Sequence, residues 1–386
     1  MRKIRLCVIV TVSMNLYSLY RDQFAYLTEN GFEINTVAAP GIEHQKLREQ
    51  GIESIEIKMK KKPSIFYDIY SFFKFLAFFK KNQFDIISIS TPKASFVAGL
   101  AAFLTGQKRI MYTVRGRAYE YSNLFTRKFY ILIEKFLCKI SKKVFSISHE
   151  IKNDFIKLGI CKSNKIFVIG LGSSNGVDLT KFTLNESLKR AGEKIRDFFK
   201  IDKNDVCLLY SGRIRKDKGI NELVLAFKEI SEEYSNVHLI IQGSFDNVDP
   251  LNPNVLEHIN LNERIHLASW CRDVERYFAA CDIFVFPSHR EGFGNVAIEA
   301  SALEIPVIAF NVIGCRESVE DKVSGLLAEK IDVKLLKDTI VKLIKDQDLR
   351  QKLGKNGRKR VEKNFDSCYI WDELKKKYLE MMNDTK

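Results

Sequence analysis

The sequence predicts an α/β protein of two doubly wound parallel sheets facing each other across a cleft. Three observations lead there. The 386 residues exceed what one ordinary core organises, so two or three domains are expected. Short apolar runs alternate with helical patterns in both halves, the order of a parallel sheet covered by helices on both faces. A polar, helix-like stretch at 185–200 separates the two series. The boundary falls near Phe182, giving domains at 1–182 and 183–366, and a terminal helix at 367–386 that crosses back to the first domain.

The first strand is 4–12. Its basic head and short apolar run imitate a secretory leader, but no small-residue cleavage site follows, and a buried strand explains the run better. Further strands are expected at 33–39, 52–57, 84–90, 109–114, 143–147 and 165–169, with amphipathic helices at 17–28 and 127–140 among the connections. The second half repeats the scheme. Its strands are 206–211, 237–242, 264–268, 282–287 and 306–310, and its helices 219–233, 273–280, 295–303 and 333–345. The terminal helix has Tyr369, Trp371, Leu374, Tyr378 and Leu379 available for one apolar face.

Composition narrows the function. No apolar run reaches the ~18 residues of a membrane-spanning helix. Eight scattered cysteines form no CxxC pair and most sit in apolar runs, which reads as buried thiols in a reducing cytoplasm rather than metal ligands or disulfides. Residues 1–182 carry 29 Lys and Arg against 14 Asp and Glu, whereas 183–386 carry 33 against 34, so the first half is the one that meets something anionic. No GxxxxGK[ST] is present, and the glycines of 170–176 miss the dinucleotide fingerprint by one position. Asp346-Gln-Asp348 imitates a metal-binding pair but reads as an exposed helix start. The histidines lack metal-ligand spacing, and His289 reads as a loop residue.

Two stretches carry chemistry. In Leu209-Tyr-Ser-Gly-Arg-Ile-Arg-Lys-Asp-Lys-Gly-Ile220 an apolar strand runs into a basic loop. Arg213 and Lys218 are placed at the carboxyl edge of the sheet, where a fork and a point charge suit a diphosphate. A solvated basic loop explains this stretch alone equally well. In Arg290-Glu-Gly-Phe-Gly-Asn-Val-Ala-Ile-Glu-Ala-Ser-Ala302 a glycine loop precedes a helix, a combination that favours an anion. Glu291 lies in the loop and Glu299 more than a turn into the helix, so they do not form a close carboxylate pair. Glu299 sits among Ala297, Ile298, Ala300 and Ala302, which points to burial.

Together, Arg213, Lys218, Glu291 and Glu299 resemble the signature of the retaining glycosyltransferases of family 4, with the GT-B fold. The resemblance covers nearly the whole chain. Ser173-Ser-Asn-Gly-Val-Asp178 with Phe182 is similar to that family's domain junction, and Cys281-Asp-Ile-Phe-Val-Phe-Pro-Ser288 to its strand before the first glutamate. Thr91-Pro-Lys-Ala94 and Tyr112-Thr-Val-Arg-Gly116 resemble a bacterial surface-polysaccharide branch. The resemblance implies that Arg213 and Lys218 hold a diphosphate beside the helix start at Asn295. Glu291 and the backbone of Phe293 and Gly294 would take donor-sugar hydroxyls, Glu299 the ribose, and the turn 270–272 with Arg272 the base. Thr91, Lys93 and Arg115 fall on the acceptor side, and Arg115 joins Glu291, Arg213 and Lys218 as a candidate catalytic residue. Two departures stand out: Thr11-Val-Ser-Met14 replaces a Gly-Gly loop, and Arg115 replaces a histidine near the reacting sugar.

The stretch 60–81 combines lysine clusters with many aromatics, and 127–143 is similar. A core-facing helix with solvated lysines is the plain explanation; docking on an anionic bilayer is the other, and the charge asymmetry favours it. The expected activity is metal-independent, retaining, hexosyltransferase-type transfer from a nucleotide-sugar, a UDP-sugar by expectation, to a lipid-linked glycan at the cytoplasmic membrane face. No cofactor and no nucleic-acid partner are expected, and the route is capsule, O-antigen or exopolysaccharide synthesis. A nucleotide-sugar 2-epimerase or phosphorylase of the same fold is the alternative. A non-enzymatic basic membrane or nucleic-acid binder gives no reason for Arg213, Lys218, Glu291 and Glu299.

Overall fold

The computed structural model describes residues 2–20, 22–60, 64–117, 119–120, 123–246 and 248–383. The chain forms two compact units, Met1–Asn175 with Cys368–Lys386, and Gly176–Ser367.

The first unit is built on β1 (Ile4–Val12), β2 (Phe32–Ala39), β3 (Glu53–Glu56), β4 (Ile86–Ser90), β5 (Ile110–Val114), β6 (Lys143–Ser146) and β7 (Ile166–Phe167). Their order is β3-β2-β1-β4-β5-β6-β7, all parallel. Leu6, Cys7, Val8, Ile9 and Val10 are all buried, so helices cover both faces of β1, which is why this central run is apolar throughout rather than alternating. The strand order reverses between β1 and β4, opening a crevice at their carboxyl ends.

The second unit contains β8 (Val206–Ser211), β9 (Val237–Gly243), β10 (Ile265–Ser269), β11 (Ile283–Phe286), β12 (Val307–Phe310) and β13 (Gly325–Ala328). Their order, β10-β9-β8-β11-β12-β13, is again fully parallel, with the reversal between β8 and β11. Leu208, Tyr210, Phe227, Ile241, Val285 and Phe310 join its core.

Several expectations need correction. The chain leaves the first unit at Asn175 rather than near Phe182. Phe182 is buried against Phe278, and its carbonyl accepts from Arg358 (2.7 Å), so it belongs to the second core. The stretch 17–28 forms two helices, Ser13–Tyr20 and Gln23–Glu29, and Arg21 between them lies outside the described residues. The strand β13 and the helices Pro92–Leu104, His149–Lys157 and Pro253–Leu261 were not anticipated. The terminal helix Ser367–Asn383 packs on the first unit through Ile370, Trp371, Leu374, Tyr378 and Met381. Tyr369 and Leu379 are exposed, because the 3.6-residue repeat from Ile370 selects 374, 378 and 381. Asp346 caps Gln347–Asn364 by accepting from the Leu349 amide (2.8 Å), which accounts for the Asp346-Gln-Asp348 pattern.

Candidate functional site

In the second unit, the loops after β8 and β11 meet at the strand-order reversal. Gly219 makes that approach possible. It has φ +71°, and a Cβ there would lie 1.8 Å from the Pro287 carbonyl oxygen. The turn Lys216–Lys218 therefore sits directly against the residues following β11. Lys218 Nζ donates to Glu291 Oε1 (2.5 Å) and to Ser288 Oγ (3.3 Å). Ser288 is buried and its hydroxyl donates to the Arg290 carbonyl (3.0 Å), which fixes the loop that carries Glu291.

A lattice of ion pairs surrounds this contact. Arg215 Nε reaches Asp217 (2.5 Å) and its Nη1 reaches Asp246 (3.3 Å), while Arg290 Nε meets Asp217 (3.2 Å). Arg213 approaches Asp246 at 3.6 Å, yet its side chain is 54% exposed against 12% for Arg215. Arg215 is thus a structural strut, whereas the Arg213 fork stays open to a ligand. The Asp246 carboxyl is held below the usual carboxylate range, first by the Val248 amide and then by Arg215 and Arg213. The sequence reading missed Asp217, Asp246 and Arg215; Asp217 and Arg215 lie in the basic loop itself, whereas Asp246 comes from a different connection, after β9, with no periodicity to mark it. His289 pairs with Glu222 (3.1 Å).

Gly294, at φ +79°, opens the helix Asn295–Ala302; a Cβ would meet the Phe286 ring at 2.8 Å. The helix has no acidic residue in its first turn, so the positive end of its dipole is not neutralised from within. Phe293 is buried against Phe365, and Glu299 is only 5% exposed, as its apolar flanks predict. Trp270 and Arg272 lie exposed in the turn after β10; the Arg272 carbonyl accepts from Lys181 (3.3 Å).

The first unit collects its own polar groups at the carboxyl ends of β1, β4 and β5. Arg115 donates from Nε to Ser90 Oγ (2.6 Å) and from Nη1 to Ser174 Oγ, with its guanidinium 5.3 Å from the Tyr20 ring. Thr91 has φ +74°, rare for a β-branched residue, and its hydroxyl bonds to that of Thr11 (2.8 Å). The Thr11 amide donates to the same Thr91 oxygen (3.0 Å), so Thr11, in the stretch 11–14 that departs from the family's Gly-Gly loop, ties the end of β1 to the residue after β4. Lys93 turns toward Asp68 (2.6 Å), on the helix Ile65–Lys81.

That helix buries Ser71, Phe75 and Phe79 and leaves Ile65, Phe66, Ile69 and Phe73 exposed. Lys61, Lys62 and Pro63 lie outside the described residues. Leu124–Ile140 likewise exposes Leu124, Phe125, Phe129 and Leu132. Among the described residues no helix is long and apolar enough to cross a membrane.

Comparison with known proteins adds a second line. Residues 192–360 match the family model for glycosyl transferases group 1, and residues 21–181 that for Glycosyltransferase Family 4. The capsular polysaccharide biosynthesis glycosyltransferase CapM of Staphylococcus aureus is 37% identical over 96% of this chain and 95% of its own length. The UDP-Gal:alpha-D-GlcNAc-diphosphoundecaprenol alpha-1,3-galactosyltransferase of Escherichia coli is 27% identical over 83% of this chain and 81% of its own. The crystal structure of Anabaena HepE in complex with UDP and glucose shares 19% identity with a TM-score of 0.81, covering 98% of this chain and 100% of that one. At that identity the likeness bears on the fold, two Rossmann-like parallel-sheet domains of the GT-B kind.

Proposed function

Because the chain belongs to glycosyltransferase family 4, we propose that it moves a hexose or N-acetylhexosamine from a nucleotide-diphosphate donor, a UDP-sugar, to a lipid-linked glycan in bacterial surface-polysaccharide synthesis. Configuration is retained and no metal ion takes part. The observation that carries this reading is the Lys218–Glu291 contact beside the open Arg213 fork, at the strand-order reversal of the second sheet. The names of the E. coli and S. aureus relatives support the UDP donor, the lipid-linked acceptor and the polysaccharide route.

Each role follows from charge. As the glycosyl bond breaks, negative charge grows on the leaving diphosphate. Lys218, Arg213 and the amino end of Asn295–Ala302 stabilise it, and such preorganised electrostatics is usually the largest catalytic contribution. Lys218 has three N–H donors; Ser288 and Glu291 engage two, and the third serves a phosphate oxygen. Glu291 and the amides of Phe293 and Gly294 take donor-sugar hydroxyls, Glu299 the ribose, and Arg272 the base. The departing phosphate oxygen accepts the acceptor's proton on the same face, so no protein nucleophile is needed, unlike a retaining glycosidase with two close carboxylates. In the first unit, Arg115 and Thr91 carry the acceptor side, and Lys93 ties that edge to the helix Ile65–Lys81.

A panel of nucleotide-sugars with a polyprenyl-diphosphate-linked sugar as acceptor tests the reading. Transfer from one UDP-sugar, undiminished by EDTA and giving an axial product from an axial donor, is expected. Conversion of a donor without any acceptor would point to an epimerase instead, and loss of all transfer in EDTA would overturn the metal-free mechanism.

A further inference from the structure

The first unit holds a second concave site, at the edge of the sheet opposite Arg115 and Thr91. It lies where the helix Leu124–Ile140 ends, β6 begins at Lys143 and β7 begins at Ile166. The pocket is about 770 Å³, a size suited to a small ligand. Lys135, Lys139, Lys142, Lys143, Lys162 and Lys165 line it, and no Asp or Glu is among its lining residues.

Lysines at a helix carboxyl end have an ordinary explanation, since the terminal carbonyls attract cations. That covers Lys139, in the last turn of Leu124–Ile140. It does not cover Lys142, Lys143, Lys162 and Lys165, which arrive from the start of β6 and from the loop before β7. Lys165 is drawn inward, its Nζ donating to the Lys139 carbonyl (3.0 Å). Burial, with the neighbouring Lys162 charge, holds its ammonium below lysine's ordinary pKa, even though the Cys161 and Cys138 thiols act the other way. Like charges gathered in a concavity destabilise the fold and focus a positive field, and a bound anion offsets both.

We propose that this pocket binds an anion bearing two or more phosphate charges, the chemistry shared by a free diphosphate and by phosphorylated lipid headgroups. Lysine ammonium groups suit phosphate as rotatable point charges. The site is separate from the donor diphosphate site, which belongs to the second unit. It also carries its own reporter: the buried Cys161 lines the pocket.

The test uses the full chain with inorganic pyrophosphate, and in parallel with vesicles of cardiolipin or of phosphatidylcholine. Binding is followed by calorimetry or flotation, and alkylation of Cys161 by peptide mass spectrometry. Pyrophosphate or cardiolipin is expected to slow Cys161 alkylation. The Lys143→Gln/Lys162→Gln variant should weaken that protection by roughly tenfold or more. Protection by pyrophosphate assigns a soluble ligand; protection by cardiolipin alone assigns a headgroup. Cys161 alkylation indifferent to both, or protection that the double variant keeps in full, overturns the site, whatever is found for sugar transfer.

Discussion

In the proposed function, one ammonium at Lys218 serves two anions. It is held by Glu291 at 2.5 Å and, in the proposed function, shared with the leaving diphosphate. Its removal strips charge from the transition state and leaves the Glu291 carboxylate, 18% exposed, without its partner. Arg213 differs: its fork is open and its removal costs the fold little. Lys218→Ala and Arg213→Ala should each lower transfer by about 10²-fold or more, and only Lys218→Ala should also lower the melting temperature. Near-parental turnover in both would remove the diphosphate assignment. The two glutamates separate in the same way. Glu291 stands in a loop pinned by the buried Ser288, beside the proposed sugar, whereas Glu299 is buried more than a turn into its helix. Glu291→Gln should act chiefly on kcat and Glu299→Gln chiefly on donor KM; a larger kcat loss at Glu299 would reverse the two roles.

Among the elements, the helix Leu124–Ile140 carries an unusual core group. Glu134 is buried, accepts from the Tyr112 hydroxyl (2.7 Å), and burial pushes its pKa up to about 7, with the Tyr112 bond opposing. The folded state thus prefers the protonated acid. Stability from this group is fully present below the unfolded pKa of 4.5 and is lost as pH rises through about 7. Glu134→Gln should be more stable than the parent at pH 8 by a few kcal/mol, on the order of 1.4 kcal/mol per pKa unit, with the gap closing toward pH 4.5; a pH-independent difference in denaturant midpoints would exclude that linkage. The terminal helix Ser367–Asn383 is the other decisive element. Ending the chain after Asp366 removes Ile370, Trp371, Leu374, Tyr378 and Met381 from the first core, together with the Trp371 Nε1 bond to Asn175 (2.8 Å). At about 1.5–3 kcal/mol per large apolar side chain this approaches the whole stability of a domain. Calorimetry should then show the first unit's transition lost and the second's kept. How far these elements were legible depends on burial. β1 and β8 were readable because both faces are covered and nearly every residue is apolar. The four-residue edge strand Gly325–Ala328 was not, and on the terminal helix Trp371, Leu374 and Tyr378 were read correctly while Tyr369 and Leu379 were taken in place of the buried Ile370 and Met381. Lys218 and Glu291 were each legible as candidate site residues. Their contact was not, since it depends on Gly219 lying against the Pro287 carbonyl, a tertiary approach that no local pattern records.

For the molecule as a whole, charge is the asymmetric property. Residues 1–175 carry 28 Lys and Arg against 13 Asp and Glu, and the terminal segment 368–386 has four of each, so the first unit holds the entire excess. The same unit exposes Phe66, Phe73, Phe125 and Phe129 on two helices that both pack against Pro92–Leu104. Aromatic side chains left in water beside many lysines suit the boundary of an anionic bilayer, where the rings enter the headgroup layer and each nearby basic residue adds about 1 kcal/mol. The lipid-linked acceptor proposed above would present its sugar at that boundary, and the exposed rings would then have a purpose that core packing does not give them. Sedimentation with phosphatidylglycerol vesicles should therefore show binding that weakens as salt rises through the range where the Debye length falls below about 10 Å, and phosphatidylcholine should bind poorly. Phe66→Ser with Phe125→Ser should reduce vesicle binding while leaving transfer to a short, water-soluble acceptor intact, because neither side chain takes part in the site. If the double variant sediments like the parent, the aromatic helices do not meet the membrane, and the basic charge alone must explain any binding that remains.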